Sequence, residues 1–378
     1  MSEKPHSGLV GSMERRLRDH LGTLRMLHST GMLSDPRKLL EQLRHRRPAA
    51  RIHGSLLQFR HAMSLLLGQR LGAFDALDGA TLDFEQLAGA LGIHQRSAEA
   101  LARILEAEGV VERRDGGYRL SEVGRTFLSK RSKSTVGPMI ELLYAQASSL
   151  DQIIEGMRTG SVPEALDVMR PGMHCEAFLD AVNGYLHLAA HDLLGRVDLP
   201  DVRTFIVGSM GVSFSAALMR RFPEARVTYG CLPHLVEHIP RLRDRYRVPA
   251  HRVTGMHGHG GEPEQDRWGD ESFDLVLLTK KMILDPERGL GERFARKAHS
   301  VLSPGGALIL WESLHTDDGP TPASRAMEAL MDLGASPQGL VQTENSIFGV
   351  LRGIGFESPQ VVPCLGGRTT FVVARMPS

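Results

Sequence analysis

The stretch from Arg203 to Arg221, RTFIVGSMGVSFSAALMRR, has the pattern of a site for a nucleotide-like ligand. The pattern predicts a short apolar strand that runs through a glycine turn into a helix. Gly208 would let the backbone turn sharply, and the free N–H groups that open the next helix could face a polar or anionic ligand. A well-formed loop of this type has glycine at three positions, but Met210 and Val212 occupy the second and third.

Histidines occur in two places where they could do chemistry. His257 and His259 lie in a glycine-rich segment, but two imidazoles in a flexible loop make a metal site only where further ligands converge, so we predict no metal. His187 and His191 are spaced i, i+4 and therefore share one face of a predicted helix. This spacing is compatible with core packing, with a surface position or with contact to a substrate.

Two carboxylates are candidates for a general base. Glu312 comes directly after a predicted apolar strand, Ala307 to Glu312, so we expect it at the edge of a sheet where ligands bind. Asp285 follows the preceding strand, Phe273 to Thr279, and competes with Glu312 for this role.

The second half of the chain must position these residues. From Arg203 onward, predicted strands and helices alternate, and two last segments, Ser358 to Val362 and Thr369 to Arg375, form a predicted antiparallel pair. Alternation of this kind predicts an α/β fold with a Rossmann-like, mostly parallel sheet that binds ligands at the carboxyl ends of its strands.

The first half has a different pattern. Two short helices and a hairpin around Asp115-Gly116-Gly117 predict a winged-helix arrangement. Its second helix alternates arginines with glutamates, which favours protein packing over DNA reading. The helix from Gly54 to Leu77 is apolar enough to predict burial against a partner, and hence a dimer. The first 60 residues carry 12 Lys or Arg against 5 Asp or Glu, which predicts a solvated basic helical arm. A helix that opens at Asp35-Pro36 is predicted to end at Pro48.

Composition narrows the classes further. The chain has 378 residues, a formal net charge of +1 and three cysteines without CxxC spacing, which argues against a disulfide framework. No apolar run approaches the ~18 residues that span a bilayer, so we expect a cytoplasmic protein without membrane partners.

Four stretches together resemble one family. The winged-helix half, the segment RTFIVGSMGVSFSAALMRRFPEARVTYGCLPHLVEH, FDLVLLTKKMILDPE and LSPGGALILWES are similar to the small-molecule methyltransferases that use S-adenosylmethionine and dimerise through their N-terminal domain. The sequence between Gly208 and Pro223 is most similar to the bacteriochlorophyll C-20 methyltransferase branch, which methylates a carbon atom. The resemblance covers about residues 55–376 and implies four segments: a basic extension (1–53), a dimerisation domain (54–130), linking helices that wall the acceptor pocket (131–200) and a methyltransferase domain (201–378).

The resemblance also implies a cofactor site. The loop would lie against the methionine part, the end of the second strand against the ribose, and the end of the third against the adenine. The family places acids at the last two positions, where this chain has Cys231 and Met256. The implied cofactor residues are Gly208, Ser209, Met210, Cys231, Leu232, Met256, His257 and Lys280.

The acceptor side departs from the family as well. Most members use a histidine before an Asp-Trp pair as general base, but Leu284 occupies that position and cannot take a proton. Acceptor contacts implied by the resemblance are His174, Asn183, His187 and Met327. The base is then unknown, with Glu312, Asp285 and His187 as candidates.

Three functions remain open from the sequence. The first is transfer of a methyl group from S-adenosylmethionine to a bulky small molecule, on carbon or oxygen, in secondary metabolism. The second is a homologue that has lost the cofactor and serves another reaction or a biosynthetic complex. The third, a transcription factor, needs a DNA-reading helix that the charge pattern disfavours.

Overall fold

A computed structural model describes residues 36–159, 175–258, 263, 268, 272–279, 289–312, 314–317 and 342–378, with backbone only for 36–51, Ser209, His257 and Gly258. The chain divides into two units, Met1–Ser64 and Leu65–Ser378. Within the described residues, no helix is both long and apolar enough to cross a membrane.

Helix α1, Pro36–Arg70, begins in the first unit. It continues through Pro48, where the sequence predicts an end. Proline removes one backbone hydrogen bond, but the alanines and arginine that follow are strong helix formers. In the first unit, α1 exposes the large apolar side chains of Ile52, Leu56, Leu57, Phe59 and Met63.

The second unit opens with the predicted winged-helix arrangement. It contains α2 (Ala73–Ala76), α3 (Phe84–Leu91), α4 (Gln95–Ala107), β1 (Val111–Arg114), β2 (Gly117–Leu120) and α5 (Glu122–Phe127). Asp83 and Gln86 form a capping box at the start of α3. Asp115 and Gly116 adopt positive φ, as a two-residue hairpin turn requires. Phe74, Leu87 and Leu105 lie in the core of this module.

Three helices follow: α6 (Gly137–Ser148), α7 (Leu150–Thr159) and α8 (Cys175–Leu194). The sequence predicts one helix from Pro138 to Glu155, but it breaks at Ser149, beside a second serine that favours helix ends over interiors. Helix α8 has the predicted bounds.

The central sheet has seven strands. They are β3 (Thr204–Gly208), β4 (Arg226–Cys231), β5 (Val253–Gly258), β6 (Phe273–Thr279), β7 (Leu302–Trp311), β10 (Glu357–Cys364) and β11 (Thr369–Arg375); β8 (Leu314–His315) and β9 (Gln342–Thr343) form a separate pair. The order is β10-β11-β7-β6-β3-β4-β5. In this sheet β11 pairs antiparallel with both β10 and β7, and the other pairings are parallel, in agreement with the predicted mostly parallel sheet and antiparallel last pair.

Helices cover both faces of the sheet. Helices α8, α9 (Val212–Arg221) and α10 (Ile239–Tyr246) pack on one face, and α11 (Leu290–Val301) and α12 (Glu344–Ile354) pack on the other. Successive residues of β3 alternate between these two cores: Phe205 and Val207 face the first, and Ile206 faces the second. Because β3 to β7 pair parallel to one another, their carboxyl ends lie together at one edge of the sheet, which we call the carboxyl edge.

Candidate functional site

The turn from β3 into α9 lies at the centre of the carboxyl edge. Gly208 has φ −70° and ψ 170°, an extended conformation open to any residue, and a one-turn 3₁₀ segment, Ser209–Gly211, makes the bend. The sequence prediction that Gly208 itself turns the chain is therefore wrong. Gly211 is the glycine that the turn requires, because a Cβ there would lie 3.1 Å from both Leu277 Cδ2 and Val207 Cβ.

Asn183 holds the first turn of α9. Its side chain is fully buried, its Nδ2 donates to the Leu179 carbonyl at 2.9 Å, and its Oδ1 accepts the Ser213 N–H at 2.9 Å. The amide thereby satisfies one of the N–H groups that a helix start leaves open. Asn183 therefore fixes the β3–α9 turn, a role that the sequence did not indicate, and its assignment as an acceptor contact stays a prediction.

The end of β4 places no exposed polar side chain at the carboxyl edge. Cys231 is 2% exposed and packs in the core under α8 to α10, where Leu232 also packs. Gly230 pairs in register with Gly208, and a Cβ on Gly230 would lie 3.4 Å from Trp268 Nε1. Together with Thr279, these residues line a cavity of about 20 Å³, the size of one water. Sequence reasoning missed Trp268.

Met256 lies one strand further, at the end of β5. It is 44% exposed, and it pairs in register with Tyr229 of β4. An exposed thioether can pack against a flat aromatic ligand.

Glu312 follows the last residue of β7 and is fully buried, at the predicted edge. Its backbone is fixed by β11: the Glu312 N–H donates to the Thr370 carbonyl at 3.4 Å, and Thr370 Oγ1 donates to the Glu312 carbonyl at 3.1 Å. The neighbouring Trp311 stacks on Tyr185 of α8, with ring centroids 5.9 Å apart. The Glu312 backbone thus sits at a rigid point of the carboxyl edge, which α8 also contacts.

His187 lies elsewhere. Its ring is 5.2 Å from the His191 ring and 5.4 Å from the ring of Tyr246, the last residue of α10. His191 in turn contacts Arg220, near the end of α9. Because α9 runs back along the sheet for ten residues, about 15 Å, these groups lie towards the edge opposite Gly208. His187 therefore lies among these side chains, one helical turn along α8 from Asn183, and its roles as acceptor contact and as base stay predictions.

Several predicted site residues fall outside the described part of the chain. They are His174, Lys280, Leu284, Asp285 and Met327, together with His259. Of Ser209 and His257, only the backbone is described. No group of three potential metal ligands occurs among the described residues.

Two family models match this chain. The O-methyltransferase dimerisation domain matches residues 54–130, and the O-methyltransferase domain matches residues 170–357.

Curated relatives are similar over most of the chain. The 3-hydroxy-5-methyl-1-naphthoate 3-O-methyltransferase of Streptomyces sahachiroi is 28% identical, covering 68% of this chain and 75% of the relative. The tetracenomycin polyketide synthesis 8-O-methyl transferase TcmO of Streptomyces glaucescens is 26% identical, covering 86% of this chain and 97% of the relative.

Solved structures share the fold. An O-methyltransferase family protein from Burkholderia thailandensis superposes with a TM-score of 0.71 at 20% identity, covering 87% of this chain and 98% of that one. Human N-acetylserotonin methyltransferase, solved in complex with SAM, gives 0.69 at 19% identity, with 87% and 98% covered.

Proposed function

This chain belongs to the O-methyltransferase family that carries an N-terminal dimerisation domain, and we propose that it transfers a methyl group from S-adenosylmethionine to a hydroxyl of a small aromatic molecule in secondary metabolism. The observation that carries the proposal is the pair of family matches, whose second covers the carboxyl edge with its β3–α9 turn and Glu312. The named relatives act on a naphthoate and in polyketide synthesis, which supports a polycyclic phenolic acceptor over a repurposed, non-catalytic role.

The carboxyl edge fits most parts of the cofactor. The backbone that opens α9 suits the carboxylate of the methionine part, because helix N-termini favour anions. Met256 suits the adenine face, and Lys280 belongs to the same region by resemblance. The end of β4, which by resemblance meets the ribose, fits the cofactor less well, because Cys231 is buried and provides no carboxylate for the ribose diol. When bound, S-adenosylmethionine supplies a methyl group on a sulfonium, a strong electrophile.

Glu312 is our proposed general base. Hydrogen bonds to β11 hold its backbone on the carboxyl edge. By resemblance, the family's usual histidine base corresponds to Leu284 in this chain, and leucine cannot accept a proton, so another residue must be the base. A carboxylate can take the phenol proton as the oxygen attacks, and such a base contributes about 10²–10⁴-fold. Asp285 is the second candidate for this role.

A methylation assay tests this assignment. Purified enzyme is supplied with S-adenosylmethionine and a panel of hydroxynaphthoates and tetracyclic phenols, and the products are read by mass spectrometry and NMR. We expect an O-methyl product, and Glu312→Gln should lower kcat by about 10²-fold while cofactor affinity stays within twofold. Glu292→Gln, which breaks an exposed pair with Arg296, is the control. A C-methyl product would support the C-20 branch instead, and unchanged kcat in Glu312→Gln would remove Glu312 as base.

A homodimer is part of the proposal, and we divide the chain as the sequence predicts, at residues 53, 130 and 200. The apolar face of α1 in the first unit, with Leu56, Phe59 and Met63 all more than 40% exposed, suits a subunit contact. Phe59→Asp should convert the dimer to a monomer, as measured by light scattering, whereas Gln58→Asp, at an exposed residue on the opposite side of the same turn, should not. A monomeric wild type would refute the dimer.

A further inference from the structure

Five basic side chains gather on the α8–α10 face of the sheet, away from the carboxyl edge. They come from four segments: Lys133 before α6, His187 and His191 on α8, Arg220 near the end of α9, and Arg247 after α10. Arg220 Nη1 lies 3.1 Å from His191 Nε2, and the two histidine rings meet edge to face at 5.2 Å. We call these five residues the basic cluster.

The charges of the basic cluster act on one another. Burial lowers the pKa of Lys133, and the charges of Arg247 and Arg220 lower it further. Burial also lowers the pKa of His187 to about 4, with additional contributions from His191, Arg220 and Lys133. Cationic side chains that lie close together repel one another, and this repulsion destabilises the folded state. An anion bound among them offsets the repulsion.

No carboxylate of the described residues pairs with Lys133, Arg220 or Arg247. Other arginines nearby in the chain differ: Arg196, just after α8, pairs with Asp192 at 2.6 Å, and Arg241 on α10 pairs with Asp180 at 2.9 Å. Lys133, Arg220 and Arg247 therefore keep positive charges that no described carboxylate neutralises, whereas Arg196 and Arg241 are neutralised within the fold.

The second observation is the imidazole of His187. This residue is only 7% exposed, and its Nδ1 is buried with no hydrogen-bond partner among the described residues. An unsatisfied buried polar group destabilises the folded state, so buried nitrogens normally have a hydrogen-bond partner. A bound acceptor atom would satisfy this nitrogen and compensate the surrounding cations at once.

We propose that the basic cluster binds a small oxyanion of the phosphate class. Arg220 and Lys133 provide the charge, and His187 Nδ1 provides a donor, while His191 Nε2 accepts from Arg220 and orients its guanidinium; charged and N–H donors of this kind suit an oxyanion. The site is separate from the proposed methyl-transfer cleft, because α8 carries Asn183 towards one edge of the sheet and His191 towards the other. A phosphate, sulfate or phosphate ester there would stabilise the contacts between α8, α9 and α10.

Calorimetry and thermal unfolding of the full-length protein test the proposal with inorganic phosphate as the probe. At pH 7 and constant ionic strength set by NaCl, phosphate should bind and raise Tm by a few degrees. Arg220→Gln should weaken phosphate binding at least tenfold, since a hydrogen bond to a charged group is worth about 1.5–3 kcal/mol. Arg243→Gln, at an arginine already paired with Asp244 at 3.0 Å, should bind phosphate like the wild type.

Further arms separate the alternatives. Acetate and sulfate at equal ionic strength distinguish a general carboxylate site from a phosphate-class site, and ¹⁵N NMR of the histidines should show His187 and His191 shifting with phosphate. If Arg220→Gln fails to fold, Lys133→Met is the replacement variant with the same expectation. Equal effects of phosphate and NaCl, or equal phosphate affinity in wild type and Arg220→Gln, would overturn the proposal, as would tighter binding of acetate.

Discussion

Helix α8 carries two buried polar side chains one turn apart, Asn183 and His187, and they have opposite environments. Asn183 has a donor and an acceptor bond to backbone groups, one of them at the start of α9. His187 has a buried nitrogen without a partner in the described part of the chain and stands among cations. Asn183 fixes the fold at the start of α9, whereas His187 lies where we propose that an oxyanion binds.

The largest effect is expected when the free energy of unfolding is measured as the pH is lowered. This measurement tests the difference between Asn183 and His187. Because the pKa of His187 is about 4 in the folded protein and 6.5 in the unfolded chain, the unfolded state binds more protons between these values. Stability should therefore fall as the pH drops from about 6.5 to 4. His187→Leu should remove up to about 3 kcal/mol of this loss, measured by urea unfolding in phosphate-free buffer.

The control for that experiment is His251→Gln, at an exposed histidine. It should keep the acid sensitivity of the wild type. If His187→Leu loses stability with falling pH as steeply as the wild type, His187 is not the group that makes the protein acid-sensitive.

The other end of α8 should respond differently. Asn183→Ala leaves the Ser213 N–H without its acceptor in a buried place, which should cost about 1–3 kcal/mol at every pH. Because the same contact fixes the β3–α9 turn, S-adenosylmethionine should also bind more weakly. A loss of stability confined to acidic pH would contradict the distinction between Asn183 and His187.

The smallest effect is expected at Gly211. Gly211→Ala places a Cβ 3.1 Å from Val207 and Leu277 and should cost about 1 kcal/mol with a modest loss of cofactor affinity. Gly349→Ala is the matched control, because nothing lies within 4 Å of its Cβ and alanine favours the helix interior. Gly211→Ala with wild-type stability and affinity would show that the turn can shift freely.

The sequence predicted the scaffold well because periodicity reports which faces are buried. The bounds of α8, β3, β6 and β11 agree with the prediction, as do the sheet type and the winged-helix module. Periodicity does not report which neighbour a face meets. The i, i+4 spacing of His187 and His191 predicted a shared face, but only the tertiary structure shows that this face meets Arg220. The close approaches at Gly211 and Trp268 depend on distant residues in the same way, so no local pattern indicated them.

We propose that the carboxyl edge binds S-adenosylmethionine although Cys231 occupies the position where the family places an acid beside the ribose. Titration calorimetry of the wild type with S-adenosylmethionine tests it most directly, with Arg220→Gln as the comparison. We expect one cofactor to bind per chain, with the same affinity in the wild type and in Arg220→Gln and no competition from phosphate. Absence of binding at millimolar S-adenosylmethionine in the folded wild type would contradict it.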